Sequence, residues 1–304
     1  MSVEFCGLRL AHPVINGSGT FDAIAARRAF GDGLCAAFPF AAYVSKTITL
    51  EPRQGNPPPR LWESPGGLIN SIGLPNKGLE RYMSEDVPQL ASLTAAVTRS
   101  AGDGRSVPLI TNVMGSSAAE FAQLVEACEA RPEITAVELN VSCPNVKTGL
   151  DIGADPRQLE DVLREVRSRS AKPLIVKLTP NTADVAACAQ AAQDGGADAV
   201  SLINTLRAMA LAPHARTGPP RPWLGGGTGG LSGGAVRTIA LAQVAAVAAR
   251  LQIPVIGMGG VQSAAHARDL IDVGATLVAV GTESFRDPAA AGKVARGLQE
   301  ASDG

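Results

Sequence analysis

The residues of this 304-residue chain that could do chemistry fall at the ends of apolar runs. Asn16 followed by Gly17 and Ser18, Lys46 before Thr47, Asn112, Asn140, Lys177, Asn204, the pair Gly259 and Gly260, and Gly281 before Thr282 each sit at or just past such a run. Side-chain amides offer donors and acceptors at fixed positions, which suits a flat polar ligand. A lysine that ends a buried run, as in VSKT and IVKL, is costly to desolvate unless an anion or electron-rich acceptor meets it. Lys46 and Lys177 together therefore point to a ligand that is or becomes negative. Either ammonium alone could instead lay its stem along the core and end in solvent. The glycine turns of PVIGMGG and AVGT suit backbone N–H groups gathered around a phosphate, although tight turns without a ligand read the same way.

Cys143 differs from the other four cysteines. It lies in NVSCPN just past an apolar run, in a polar loop with proline behind it and asparagines on both sides. A thiol with an ordinary pKa near 8.5 is only a few per cent thiolate at pH 7, so it could act as a general base where its surroundings lower that value; a loop cysteine with no such surroundings is inert. Cys128 and Cys188 fall within apolar helical stretches and read as small core residues, and Cys6 and Cys35 have no partner motif. No Cys-x-x-Cys pair occurs, which argues against a disulfide framework or a zinc or iron–sulfur site built by this chain.

Eight short apolar or β-branched runs precede these residues: Pro13 to Asn16, Ala42 to Thr47, Leu109 to Val113, Ala136 to Asn140, Leu174 to Leu178, Ala199 to Asn204, Pro254 to Gly257 and Leu277 to Val280. Between most of them lie segments with helical periodicity, at Leu79 to Ser100, Ala118 to Ala130, Pro156 to Ser170, Thr182 to Asp194, Ala235 to Arg250 and Ser263 to Val273. Asp155 before Pro156, and Ser263, read as helix starts; Gly195, Gly196 and Gly274 read as left-handed stops. Eight strand–helix units predict a parallel sheet closed into a (β/α)8 TIM barrel, with the polar strand ends converging on its C-terminal rim. Three Gly- and Pro-rich stretches, Glu51 to Lys77, Asn145 to Ala154 and Arg207 to Gly234, follow strands and read as irregular rim loops of the kind that bind or cover ligands. Within the first, QGNPPPR could equally be a rigid extended connector. LGGGTGGLSGG is not a dinucleotide fingerprint, because no clear strand leads into it and no acidic residue follows at the expected distance.

Composition narrows the classes further. With 27 basic against 28 acidic side chains the formal net charge is −1, which argues against a nucleic-acid partner, and 45 % apolar residues with 33 glycines suit an α/β fold. No signal-like start and no apolar stretch of membrane-spanning length is present, so a cytoplasmic protein with no membrane association is expected.

Nine segments in order, NGSGTF, SKTIT, INSIGLPNKG, NVSCPNVKTG, IVKLTPN, LINTL, TGGLSGG, IPVIGMGG and VAVGT, resemble dihydroorotate dehydrogenase over nearly the whole chain. That family is a flavin-containing barrel that oxidises dihydroorotate to orotate in pyrimidine biosynthesis. The resemblance implies one FMN-binding TIM-barrel domain over residues 1–304. It implies that Cys143 is the base that takes a proton from ring carbon 5 while a hydride leaves carbon 6 for FMN. Asn70, Asn140, Asn145 and Asn204 with Thr205 would bind the substrate's carboxylate and amide edges. Lys46 would touch both flavin and substrate, and Lys177 would stabilise negative charge on the reduced flavin. Gly17, Ser18, Thr47, Asn112, Asn140, Gly233, Gly259, Gly260, Gly281 and Thr282 would complete the FMN cradle.

Family members associated with membranes use serine as the base and carry an amphipathic N-terminal extension, whereas this chain has Cys143 and starts its first strand within about a dozen residues; the resemblance is to class 1. NVKTG and NTLRAM are most similar to the class 1B catalytic subunit, which passes electrons to NAD. Since this chain has neither a nicotinamide fingerprint nor iron–sulfur cysteine spacing, that reading requires a partner subunit carrying FAD and a 2Fe–2S cluster, around a homodimeric core of a heterotetramer. Ala208, where glycine is usual, and Gly234, where proline often follows GGLSG, depart from the pattern. Alternative readings are a fumarate-reducing class 1A enzyme, a phosphate-binding lyase or aldolase with a Schiff base on Lys46 or Lys177, and a noncatalytic barrel serving as a subunit scaffold.

Overall fold

The computed structural model describes residues 2–101, 106–141, 152–212 and 221–303. In chain order the strands are β1 (Val3–Phe5), β2 (Leu8–Leu10), β3 (Val14–Asn16), β4 (Tyr43–Val44), β5 (Leu61–Ser64), β6 (Gly67–Asn70), β7 (Leu109–Val113), β8 (Ala136–Asn140), β9 (Leu174–Lys177), β10 (Ala199–Leu202), β11 (Leu206–Ala208), β12 (Gly229–Ser232), β13 (Val255–Met258) and β14 (Leu277–Val280). Eight of them form one parallel sheet in the order β3-β14-β13-β10-β9-β8-β7-β4, and these are the eight runs expected to build the barrel. Alternate residues face opposite ways. Ile15, Val44, Ile110, Ala136, Ile175, Ala199, Ile256 and Leu277 meet inside the barrel. Val14, Tyr43, Leu109, Val137, Leu174, Val200, Val255 and Val278 point outward onto the helices. A strand covered on both faces must be apolar at every position, which is why each reads as an unbroken aliphatic run.

The edge strands β3 and β4 meet through a side chain. Asn16, 1 % exposed, accepts from the Val44 N–H through Oδ1 at 2.8 Å and donates through Nδ2 to the Val44 carbonyl at 2.7 Å, while the Ala41 N–H reaches the Val14 carbonyl at 2.9 Å. Its amide thus does the work of a peptide unit across the seam, and it fixes the turn into Gly17 and Ser18. Asn16→Ala would strand both Val44 groups in a dry seam, and denaturant unfolding should show a loss of roughly 2–4 kcal/mol. An unchanged midpoint would refute this role.

The helices begin where the caps indicate. Asp155 accepts from Arg157 N–H and Gln158 N–H, and Ser263 from His266 N–H. The helix expected over Leu79 to Ser100 carries a π-helical turn, Tyr82–Asp86, where Tyr82 reaches Thr111 Oγ1 at 2.9 Å. One stop differs from expectation: Gly195 keeps right-handed angles (φ −77°), and the left-handed positions fall on Gly196 (φ +98°) and Gly274 (φ +111°). Helices Ala23–Phe30, Asp32–Ala36 and Ala290–Asp303 lie outside the expected helical segments, though Asp22 caps the first through Ala25 N–H.

The rim loops correct the expectation of irregular structure. Glu51 to Lys77 and Arg207 to Gly234 together form an antiparallel sheet in the order β11-β12-β6-β5, in which Asn70 pairs with Gly230 and with Leu61. The glycine run therefore contains a strand, because Gly229 and Gly230 permit close approach: a Cβ on Gly230 would lie 1.9 Å from Thr205 Oγ1. The third loop lies largely outside the described residues. At the opposite end, the β1–β2 hairpin seals the barrel with Phe5 and Leu10, and Cys6 Sγ donates to the Asp198 carbonyl at 3.4 Å just before β10.

Candidate active site

The strand ends open into a cavity of about 570 Å³ between the barrel mouth and the antiparallel sheet, within the range of ordinary cofactor sites. On one side lie Gly17, Ser18, Lys46 and Thr47. Ser18 Oγ donates to the Ser45 carbonyl at 2.7 Å, and it stands 3.4 Å from Thr47 Oγ1. Asn140 Nδ2 reaches Thr47 Oγ1 at 3.5 Å, and Asn204 Nδ2 reaches Asn140 Oδ1 at 3.4 Å. Asn204 Oδ1 then accepts from Thr205 N–H at 2.9 Å. Hydroxyls and amides from the turns after β3, β4 and β10 and from the end of β8 are thus joined in one polar arc, with Asn70 lining the same cavity from β6. Gly19, at φ +73°, lets Lys46 lie across it, since a Cβ there would fall 2.9 Å from Lys46 Cδ.

Two stretches of backbone present unused donors. The N–H groups of Gly259, Gly260, Gly281 and Thr282 make no hydrogen bond among the described residues, and neither do those of Ile72, Gly73 and Leu74; all seven residues line the cavity. Leu74 holds a left-handed φ of +55°, a conformation that costs a non-glycine residue about 1–2 kcal/mol. Strain of that kind persists where a loop clamps a ligand. Lys177, at the end of β9, is 7 % exposed and lines the cavity floor with its ammonium bonded to no protein group among the described residues. A buried cation beside unused N–H donors calls for an anionic or electron-rich occupant.

The glycines show how much of the space is reserved. A Cβ on Gly260 (φ +70°) would strike Arg237 Cβ at 2.7 Å, so this turn needs glycine for its own fold. Gly281 is different. Its Cβ would meet nothing closer than Thr20 Cγ2 at 3.8 Å, and its backbone is not left-handed. The protein itself leaves room for a methyl group there.

The family model for dihydroorotate dehydrogenase matches residues 1–301 of this chain. The chain belongs to the dihydroorotate dehydrogenase family. Among its relatives is the dihydroorotate dehydrogenase B (NAD(+)), catalytic subunit, of Pelobacter propionicus, 42 % identical over 300 residues, covering 98 % of this chain and 92 % of the relative. The protein of the same name from Trichlorobacter lovleyi is 42 % identical over 304 residues (99 % and 92 %), and that from Geobacter sulfurreducens 41 % over 303 residues (98 % and 92 %). Family membership decides against the Schiff-base lyase and the scaffold readings.

Of the residues expected in a dihydroorotate dehydrogenase site, the structure brings to this cavity Lys46, Thr47, Asn70, Asn140, Lys177, Asn204 and Thr205, and the turns at Gly17 and Ser18, Gly233, Gly259 and Gly260, and Gly281 and Thr282. Asn112 does not line it; it is 0 % exposed, inside the barrel just below. Cys143 and Asn145 lie outside the described residues. Residues 54–60, the QGNPPPR segment, stay off the cavity and pack against the turn at Gly225, whose N–H bonds the Pro59 carbonyl. Sequence reasoning missed Thr20, Ile72, Gly73, Leu74 and Ser232, although all five sit inside the quoted NGSGTF, INSIGLPNKG and TGGLSGG segments. It also missed Glu138, a carboxylate in the middle of the otherwise apolar run AVELN. No helix among the described residues is long and apolar enough to cross a membrane.

Proposed function

We propose that the cavity holds FMN and that dihydroorotate is oxidised to orotate against it, in pyrimidine biosynthesis. The observation that carries this reading is Lys177, a buried ammonium without a protein partner among the described residues, on the floor of a cavity ringed by amides and unused backbone donors. The group fits. Gly259, Gly260, Gly281 and Thr282 would hold its phosphate through their N–H groups, Gly17, Ser18, Thr47 and Gly233 would border it, and Met258 and Ile203 offer apolar surface to a flat ring. When bound, FMN supplies the hydride acceptor.

The chain's own residues do the rest. Asn70, Asn140, Asn204 and Thr205 offer donors and acceptors to the ring amides of the substrate, and the N–H groups of Ile72, Gly73 and Leu74 suit its carboxylate. Lys46 adds positive charge on the same side. Asn145 would extend the amide set, and Cys143 would take the proton from carbon 5. Lys177 stabilises negative charge that develops above the cavity floor.

Gly281→Ala tests the cradle. The protein has room for the methyl group, so thermal stability should stay within about 0.5 kcal/mol of wild type, while FMN affinity should fall at least roughly tenfold, because the added carbon takes ligand volume. Fluorescence titration of the apoprotein reads this. Undiminished affinity would move the phosphate elsewhere.

For the electrons' destination, we infer NAD through a second subunit that carries FAD and a 2Fe–2S cluster, with two copies of this chain at the core. Support comes from the relatives named as B (NAD(+)) catalytic subunits and from a sequence without cluster-type cysteine spacing. Co-purification should bring down a cysteine-rich flavoprotein, with NAD reduced only in its presence. Fumarate reduction by the isolated chain would contradict this.

A further inference from the structure

The backbone donors at Ile72, Gly73 and Leu74 are aimed by contacts made on the side of the loop away from the cavity. The Ile72 carbonyl accepts from the Asn56 N–H at 3.0 Å. In a trans peptide the C=O and the N–H point opposite ways, so this bond turns the Gly73 N–H away from Asn56, and Gly73 lines the cavity. Two left-handed glycines make the approach possible. A Cβ on Gly55 (φ +79°) would lie 2.5 Å from the Ile72 carbonyl oxygen, and one on Gly73 (φ +75°) would lie 2.5 Å from the Asn56 nitrogen. The QGNPPPR segment thus backs the loop without entering the cavity.

Leu74 is held by a side chain. Asn76 Nδ2 donates to the Leu74 carbonyl at 2.9 Å and to Thr49 Oγ1 at 2.9 Å, while its Oδ1 accepts from the Gly78 N–H at 2.9 Å and the Thr49 N–H at 3.3 Å. Thr49 Oγ1 can accept because its own hydrogen goes to the Glu51 carbonyl at 2.6 Å. Two donors and two acceptor sites are all that a side-chain amide has. The Asn76 backbone N–H and C=O are engaged as well, each with Arg53 at 3.0 Å. Asn76 does not line the cavity, so these bonds serve the loop, the segment after β4 and the turn into helix Leu79–Arg81. The bond to the Leu74 carbonyl falls on the residue whose φ of +55° is costly for a leucine. Without it Leu74 can relax, and because Asn56 and Arg53 anchor the chain on either side, the N–H groups of the loop must turn.

We propose that Asn76 is a positioning residue for the carboxylate of the substrate: it keeps Leu74 left-handed, and so keeps the N–H groups of Ile72, Gly73 and Leu74 gathered on the one charged group of that ligand. This rests on the dihydroorotate reading above and extends it to a residue that touches neither substrate nor cofactor.

The test compares Asn76→Ala and Asn76→Asp with wild type as FMN-loaded full chains, titrated with orotate and with uracil, the same ring without the carboxylate, using the absorbance of the bound flavin. Alanine removes the amide. Aspartate keeps its shape and its acceptor but has no NH2 for Leu74. In both variants orotate affinity should fall roughly 10- to 100-fold, the scale of one or two lost hydrogen bonds to a charged group, while uracil and FMN bind as they do to wild type. The aspartate variant and wild type are compared at about 1 M salt, where the Debye length is about 3 Å, so that the new carboxylate acts through geometry and not through repulsion; this pair carries the test if Asn76→Ala does not fold. A merely structural asparagine would weaken orotate, uracil and FMN together and leave the orotate-to-uracil ratio unchanged. That result, or wild-type orotate affinity in either variant, overturns the inference while the dihydroorotate reading stands; a wild-type holoprotein that holds orotate no better than uracil overturns both.

Discussion

Cys143→Ala lowers the rate of dihydroorotate oxidation by roughly 10² to 10⁴-fold at neutral pH, with FMN and orotate binding near wild type. The effect is confined to rate because the thiol's proposed task is to take a proton, whereas binding is distributed over the amide arc and the backbone donors. No other cysteine is placed for that task. Cys128 and Cys188 are buried on helices, and burial pushes the Cys128 thiol up to about 12. Cys6 is at the opposite end of the barrel, its thiol also pushed up to about 12, first by burial and then by Asp198. Cys35 packs against the Arg27 guanidinium at 3.1 Å. None of the four lines the cavity. Stopped-flow absorbance of the bound flavin after mixing with dihydroorotate reads the rate directly; an alanine variant at wild-type speed removes Cys143 from the chemistry. Cys143→Ser should regain rate as pH rises, because a hydroxyl gives up its proton less readily than a thiol.

Lys177→Met gives the second large effect. Methionine keeps the stem's volume and removes the charge, so the fold is retained, and the apoprotein melts no lower than wild type because a buried cation has gone. The oxidation rate falls roughly 10² to 10³-fold, the usual scale for losing one preorganised charge at a site where opposite charge develops. The flavin midpoint potential becomes more negative, because the reduced form loses its cationic neighbour. A Lys177→Met protein with unaltered rate and potential would remove this ammonium from the account.

The barrel was legible in the sequence because its code is local. A parallel strand buried on both faces is an unbroken aliphatic run, and the caps at Asp155 and Ser263 lie within three residues of the N–H groups they serve. The site was legible by the same logic, since polar residues that end such runs must share one rim, and the structure brings Lys46, Asn140, Lys177 and Asn204 to one cavity. The antiparallel sheet was hidden. Its strands are short and partly glycine, and β6 and β12 find each other across about 160 residues of chain, information carried by neither segment alone. Glu138 was passed over because four apolar or amide neighbours made AVELN look like core. The dissent of one charged residue within such a run was the available signal.

The visible spectrum of the purified protein, before and after anaerobic addition of dihydroorotate, bears most directly on whether this barrel mouth is built around a flavin. The account predicts yellow protein that releases FMN on denaturation and is bleached by dihydroorotate. Colourless protein that takes up no FMN on reconstitution, or bound FMN that dihydroorotate leaves oxidised, would contradict it.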